Sequence, residues 1–120
     1  REFDLVTCVP MHKDTLRKRG YNQAELLAKE CARILGIEYA DLLAKTKKNK
    51  TQHSIKAAER AKNVIGVYSP IDKNLIKGKR ILIIDDIITT GSTLGECARI
   101  LNKCKCGEIC CCTLCTSLLI

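Results

Sequence analysis

The sequence predicts an α/β domain built on a parallel, doubly wound sheet, and three observations carry that prediction. Ile81-Leu82-Ile83-Ile84 is an unbroken run of branched apolar residues, the pattern of a strand buried by helices on both faces. The run leads straight into Asp85-Asp86, a short hydroxyl-rich loop and the start of a helix. Elsewhere, short apolar runs alternate with segments of helical periodicity, which gives strands joined by helical crossovers.

Taken in order, Phe3 to Val9 fits a first strand stopped by Pro10. Met11 to Gly20 reads as a loop or frayed turn charged by His12, Lys13, Arg17, Lys18 and Arg19. A helix starts at Asn22 with Glu25 as capping-box partner, turns Ala24, Leu27, Ala28, Cys31, Ile34 and Leu35 inward, and ends at Gly36. Tyr39 to Ala44 is a second strand. Ser54 caps a helix to about Val64, striped by Ile55, Ala58, Ala61 and Ile65. Gly66 to Ser69 and Pro70 lead into a turn, and Lys73 to Arg80 is a polar connector. Thr93 and Glu96 form a second capping box for a helix with Leu94, Cys97, Ala98 and Leu101 inward, closed by Gly107. The last strand is Ile109 to Cys115. With 120 residues and no repeat or internal boundary, the expectation is one domain spanning 1–120. The chain opens on Arg1 and its only Met is Met11, so a processed chain, an excised domain or a fragment is expected.

The chemistry gathers after the central strand. In open α/β sheets, ligands bind at the carboxyl ends of strands. There the loop Thr89-Thr90-Gly91-Ser92-Thr93 offers hydroxyls, a glycine for close backbone approach and a helix N-terminus, which together suit a phosphate. Asp85 and Asp86 suit sugar hydroxyls or a hydrated Mg²⁺. Side by side, these features suggest a phosphorylated ribose. A receiver domain would need a phosphoacceptor Asp beyond its acid pair, and no Asp follows Asp86. A P-loop is excluded because no Gly-Lys-Ser/Thr follows Gly91. Two adjacent buried carboxylates without a ligand would be costly.

Composition narrows the class further. The formal charge of +8 favours an anionic partner, either a small phosphorylated substrate or nucleic acid. Aromatics are only 3% of residues, so the core must be aliphatic and Cys-lined. Neither a signal-peptide pattern nor an apolar run of membrane length occurs, and a cytoplasmic protein with no membrane partner is expected. Six cysteines lie between Cys104 and Cys115, and Cys104-x-Cys106 with Cys112-x-x-Cys115 raises a zinc reading. In a strand, however, Cys110 and Cys112 would face one helix layer, with Cys111 and Cys115 facing the other. Small buried apolar residues explain them better than zinc does. An odd nine cysteines without a signal peptide do not suggest a disulfide framework.

Residues 81–93 resemble the thirteen-residue phosphoribosyl pyrophosphate (PRPP) signature of type I phosphoribosyltransferases at every position. The resemblance implies a Rossmann-like phosphoribosyltransferase fold, with Asp85 and Asp86 on the ribose diol, Thr89, Thr90, Gly91, Ser92 and Thr93 around the 5-phosphate, and Mg²⁺ arriving with PRPP. Purine-salvage members often place an acid where Thr89 stands, which argues against that substrate class. Val9-Pro10-Met11-His12 and Arg19-Gly20-Tyr21-Asn22-Gln23-Ala24-Glu25-Leu26-Leu27-Ala28 are similar to the competence protein F family, as are Gln52, Arg60, Asn63-Val64, Gly66 and Tyr68 in their spacing. That family is phosphoribosyltransferase-like and linked to DNA uptake. Many members carry an N-terminal zinc ribbon, which the chain from Arg1 onward is expected to lack.

The resemblance also implies roles for the cations. Arg17, Lys18 and Arg19 follow the first strand, where related enzymes bind pyrophosphate; a solvated basic loop is the plain alternative. Lys47, Lys48, Lys50 and Arg60 fall where relatives carry a mobile loop that closes over the site, and a charged surface helix competes with that reading. His12 reads as an ordinary loop histidine. The implied activity is phosphoribosyl transfer from PRPP to an unidentified nitrogen nucleophile. A non-catalytic PRPP-sensing or DNA-uptake accessory is the alternative. Weak, salt-dependent single-stranded DNA binding is expected from the charge, without the aromatic stacking platform such binders use. Homo-oligomerisation is left open.

Overall fold

A computed structural model describes residues 2–46, 66–86 and 92–113 of the chain. Among these residues, strands and helices follow in the order β1 (Leu5–Cys8), α1 (Lys13–Arg19), α2 (Gln23–Leu35), β2 (Glu38–Tyr39), β3 (Leu43–Lys45), β4 (Tyr68–Pro70), α3 (Lys73–Ile76), β5 (Arg80–Asp85), α4 (Ser92–Lys103) and β6 (Glu108–Thr113). The main sheet runs β2-β1-β5-β6 with every pair parallel. This is the doubly wound α/β fold that the sequence predicts.

The central strand explains the layering. Successive strand side chains point to opposite faces, so β5 feeds two cores at once. Ile81 and Ile83 pack with Leu5, Val9, Leu42, Ile76 and the α4 residues Leu94, Cys97 and Leu101. Leu82 and Ile84 pack with Val6, Cys8 and the α2 residues Ala24, Ala28 and Ala32. The amino ends of these strands are pinned together. Asp4 accepts from the Arg80 backbone N–H at 2.9 Å and from its guanidinium at 3.3 Å. Gly78 N–H donates to Lys105 O at 2.8 Å, and Gly107 N–H to Lys79 O at 2.7 Å. A Cβ on Gly107 would lie 3.0 Å from the Gly78 carbonyl oxygen, so glycine is what lets these two turns touch.

Several expectations are corrected. The charged stretch after Pro10 is a helix, α1, capped by the His12 side chain and closed by Gly20 in the left-handed region. The expected strand from Tyr39 to Ala44 is broken in two. Tyr39 ends β2 in the main sheet, while Leu43–Lys45 pairs antiparallel with β4, which stands where a turn was expected. Within the polar connector, Asp72 caps the single turn α3. The helix expected from Ser54 to Val64 lies outside the described residues.

Both capping boxes also resolve differently. Asn22 Oδ1 accepts from Ala24 N–H at 3.1 Å as expected of an N-cap, but Glu25 pairs with Lys29. The second helix begins at Ser92, and Glu96 is buried, accepting from Arg99 at 2.7 and 2.8 Å and from Gly66 N–H at 3.2 Å. It thereby ties α4 to the entry of β4. On α2 the buried row is Ala24, Ala28 and Ala32, with Leu27 and Cys31 partly buried beside it. These small side chains bring the helix backbone close to the sheet, which turns Ile34 and Leu35 outward, 67% and 51% exposed.

The cysteines of β6 do not pack as expected. Cys110, Cys111 and Cys112 are exposed, and Cys115 lies outside the described residues. Position explains this: among the described residues β6 is the edge strand, paired with β5 alone, and Ile109 is its residue against the core. Cys8 and Cys97, by contrast, are buried in the two cores. Burial pushes the Cys8 thiol up to about 11 and the Cys97 thiol up as well.

Two measurements check this packing. Ala28→Leu should destabilise the fold by roughly 1–3 kcal/mol through overpacking, while Ile34→Glu should change stability by no more than about 0.5 kcal/mol. Equal thermal shifts for the two would contradict the α2 orientation. In native conditions an aromatic disulfide reagent should modify Cys110, Cys111 and Cys112 rapidly. Cys8 and Cys97 should react only after denaturation, as peptide mapping would reveal.

Candidate functional site

The fold delivers the acid pair to a rim. β5 emerges from between the two cores at Asp85, and Asp86 follows where the strand ends. Asp86 N–H donates to Asp85 Oδ1 at 2.9 Å, which turns the chain and sets the two carboxyls side by side. Both line a cavity of about 280 Å³ with Val9, Pro10, Met11, Thr15, Arg19, Asn22, Lys45, Tyr68 and Thr93. Val9 N–H donates to Ile84 O at 2.9 Å, so the loop after β1 is held against the end of β5. Asn22 reinforces this, donating to Val9 O at 3.2 Å while capping α2.

The electrostatics of the cavity are uneven. Asp85 is held well above the ordinary carboxylate range, to about 6, first by burial and then by Asp86 beside it; the Lys45 ammonium opposes the shift. Lys45 is half-buried, and burial lowers its own pKa. Its ammonium lies 5.8 Å from the centre of the Tyr68 ring, a cation–π placement. Burial also pushes the Tyr68 phenol up, and Thr93 hydrogen-bonds to it. The acids therefore face a cation that is itself short of solvent.

Among the expected site residues, the structure brings together Asp85, Asp86, Thr93 and Arg19. Arg17 and Lys18 are exposed on the last turn of α1 and do not line this cavity. Their charges oppose the negative end of the α1 dipole, an ordinary helix-end role. Thr89, Thr90, Gly91, Lys47, Lys48, Lys50 and Arg60 lie outside the described residues, and Ser92 starts α4. His12 accepts from Asp14 N–H at 3.1 Å as a helix cap. Lys45 is the residue that the sequence reading left within a basic stretch. Its signal was available: it sits two residues after buried Leu43 on a strand, hence on the same face.

The donor set fits a hydrated Mg²⁺. Two adjacent carboxylates supply hard oxygen ligands of the kind Mg²⁺ takes. Among the described residues there is no group of three His, Cys, Asp or Glu side chains able to enclose a metal unaided. Nor is any described helix long and apolar enough to cross a membrane.

Comparison with known proteins agrees with this architecture. In solved structures the fold is that of a glutamine PRPP amidotransferase from B. subtilis, with a TM-score of 0.63 and 23% identity, covering 94% of this chain and 22% of that one. A structure described as the allosteric regulatory enzyme of purine biosynthesis gives a TM-score of 0.64 at 24% identity, with the same coverage. The family model for the phosphoribosyl transferase domain matches residues 22–118, and the chain belongs to that family. It is 36% identical over 108 residues to competence protein F of Haemophilus influenzae, covering 88% of this chain and 47% of that protein. It is 30% identical to the DNA utilization protein YhgH of Escherichia coli K12, over 83% of this chain and 44% of that one. It is 32% identical to competence protein ComFC of Streptococcus pneumoniae, over 86% and 43%. The chain thus spans less than half the length of these curated relatives.

The state of Asp85 can be tested directly. Its folded pKa of about 6 lies above the ordinary 3.8, so the folded protein holds the extra proton. The stability linked to that proton is complete below about pH 4 and is lost as pH rises through about 6. Asp85→Asn, which never ionises, should therefore stabilise the free protein at pH 7.5. The expected gain is about 1 kcal/mol once solvent screening of a half-exposed carboxyl is allowed for. At pH 4 the gain should vanish. A stability difference independent of pH in denaturant titrations would contradict the assignment.

Proposed function

We propose that this domain binds PRPP with Mg²⁺ and transfers its phosphoribosyl group to a nitrogen nucleophile, releasing pyrophosphate. The observation that carries the proposal is the acid pair at the carboxyl end of β5, opening on a cavity whose cations are Arg19 and Lys45. Membership of the phosphoribosyl transferase domain family supports it, as does the fold shared with a glutamine PRPP amidotransferase.

Asp85 and Asp86 hold the ribose 2- and 3-hydroxyls, while Thr89, Thr90, Gly91, Ser92 and Thr93 surround the 5-phosphate. Arg19 and Lys45 face the pyrophosphate, and Arg17, Lys18, Lys47, Lys48 and Arg60 add a basic approach to it. In the reaction, the nitrogen lone pair forms a bond to C1 of the ribose as the bond from C1 to the pyrophosphate oxygen breaks. Pyrophosphate leaves with the electron pair, and the proton lost by nitrogen passes to water. Positive charge gathers on the ribose meanwhile, so nearby carboxylates and a fixed geometry lower the barrier. When bound, Mg²⁺ would neutralise charge on the leaving pyrophosphate, held through Asp85 and Asp86 and the ligand itself.

A second reading is a PRPP-sensing or DNA-uptake accessory without catalysis, which the names of the competence and DNA utilization relatives favour. Both readings place the protein in the cytoplasm, where PRPP is available. Calorimetry with Mg²⁺ present should detect PRPP binding that weakens at least about 100-fold in the Asp85→Asn/Asp86→Asn double variant, as expected for losing two charge-assisted contacts. Equal binding by the double variant would sink the site assignment. Pyrophosphate release from PRPP with a panel of amines and nucleobases then separates the readings: release supports transfer, and binding without release supports the accessory.

A further inference from the structure

The cysteines, which the proposed PRPP site leaves unused, are sorted by the sheet onto its two faces. Paired residues of neighbouring parallel strands present their side chains to the same face. β6 runs beside β5 with Leu82 opposite Cys110, Ile83 opposite Cys111 and Ile84 opposite Cys112. Cys110 and Cys112 therefore share the face of Leu82 and Ile84, the one covered by α2. Cys111 shares the face of Ile83, the one covered by α4.

α2 brings a further thiol to the first of these faces. Its buried row is Ala24, Ala28 and Ala32. The helical repeat sets Glu25 and Lys29 on one flank of that row, with Leu27 and Cys31 on the other. The Lys29 ammonium stands 5.5 Å from the centre of the Tyr39 ring, so the first flank lies over β2. Because the sheet runs β2-β1-β5-β6, the second flank lies toward β5 and β6. Cys31 is partly buried there, against the cluster that holds Leu82 and Ile84. The electrostatics follow the same division. Burial raises the Cys31 thiol first, and the charge of Cys112 raises it further. Cys97 on α4, raised first by burial, is raised also by Cys111.

We propose that Cys31 and Cys112 are a modification site, a thiol pair that closes to a reversible disulfide between α2 and the edge strand β6. Cys112 is exposed and attacks first, while Cys31, partly sheltered beneath α2, resolves. The oxidant is a low-molecular-weight disulfide. The Cys112 thiolate attacks one of its sulfurs, forming a mixed disulfide and expelling one small thiolate. The Cys31 thiolate then attacks Cys112 Sγ, forming the intramolecular bond and expelling the second small thiolate. The two cysteines are oxidised, the small disulfide is reduced, and the protons lost by Cys31 and Cys112 pass to the two departing thiolates. The bond ties β6 to α2 one residue before the level of Asp85, which stands opposite Thr113. It rests on the fold alone and not on the PRPP reading.

The test uses the full chain, reduced and then treated with oxidised glutathione under native conditions. Remaining thiols are blocked, and the protein is digested with trypsin and mapped by mass. Trypsin releases Cys31 within residues 30–33 and Cys112 within the peptide that follows Lys105. These two peptides should appear cross-linked in the wild type, a result that needs no variant to fold. The link should persist in Cys110→Ser and Cys111→Ser and disappear in Cys112→Ser. In Cys31→Ser, Cys112 should remain as the glutathione mixed disulfide, because its resolving partner is gone. Oxidation should raise the melting temperature of the wild type by roughly 5–15 °C, the scale expected when a long loop is closed. Excess reduced glutathione should reverse that shift, and Cys31→Ser and Cys112→Ser should not show it. A wild type whose Cys31 peptide stays unlinked, a link that survives Cys112→Ser, or a melting temperature unchanged or lowered by oxidation would overturn the inference.

Discussion

Burial of β5 on both faces is the constraint from which the rest of the structure follows. Ile81 to Ile84 feed one core through Ile81 and Ile83 and the other through Leu82 and Ile84, so β5 can neither rotate nor slip. That immobility gives meaning to what comes next in the chain. Asp85 and Asp86 are fixed where the strand leaves the core, close enough to disturb each other and half shielded from water. An acid pair on a flexible loop would relieve its repulsion by moving apart. Here the strand denies that relief, and the two carboxyls stay beside each other.

What the sequence revealed, and what it hid, divides along physical lines. The unbroken apolar run at 81–84 has one structural solution, and the acid pair had to stand at its end. Asn22 and Gly36 announced α2 because caps are local chemistry. Where non-local packing decides, the reading failed. Ile34 and Leu35 fit a helical stripe as well as Ala32 does, and only the sheet's preference for a close-lying helix settles which row turns inward. The β6 cysteines look like core residues one at a time, and only their place at the sheet edge exposes them. α1 was missed because its charges contribute no inward stripe; its local signals are the His12 cap and Gly20. Lys45 was hidden for the opposite reason, as one cation among seven between Lys45 and Asn63. Its distinction lies in standing two residues beyond Leu43 on a strand that ends beside Tyr68.

The site is accordingly a meeting of elements with different origins. Asp85 and Asp86 come from the central strand, Arg19 from the end of α1, Lys45 and Tyr68 from the small antiparallel pair, and Thr93 from the first turn of α4. Glu96 joins two of these, since its carboxylate holds the Gly66 backbone just ahead of Tyr68 while its helix carries Thr93. Lys45 lines the acid-pair cavity and is the cation that opposes the charge of Asp85.

The laced turns at the opposite end of the sheet have a consequence for how such a domain can diversify. Asp4 with Arg80, Gly78 with Lys105 and Gly107 with Lys79 fasten three strands at their amino ends. Strand register is thereby decided far from the acid-pair cavity. Lengthening or rewriting the loops at the carboxyl ends then has no lever with which to shift the sheet. A lineage can exchange those loops, and with them its chemistry, while Gly107 remains nearly irreplaceable because the Gly78 carbonyl leaves no space for a side chain. Innovation is confined to one rim of the sheet by a fastening at the other.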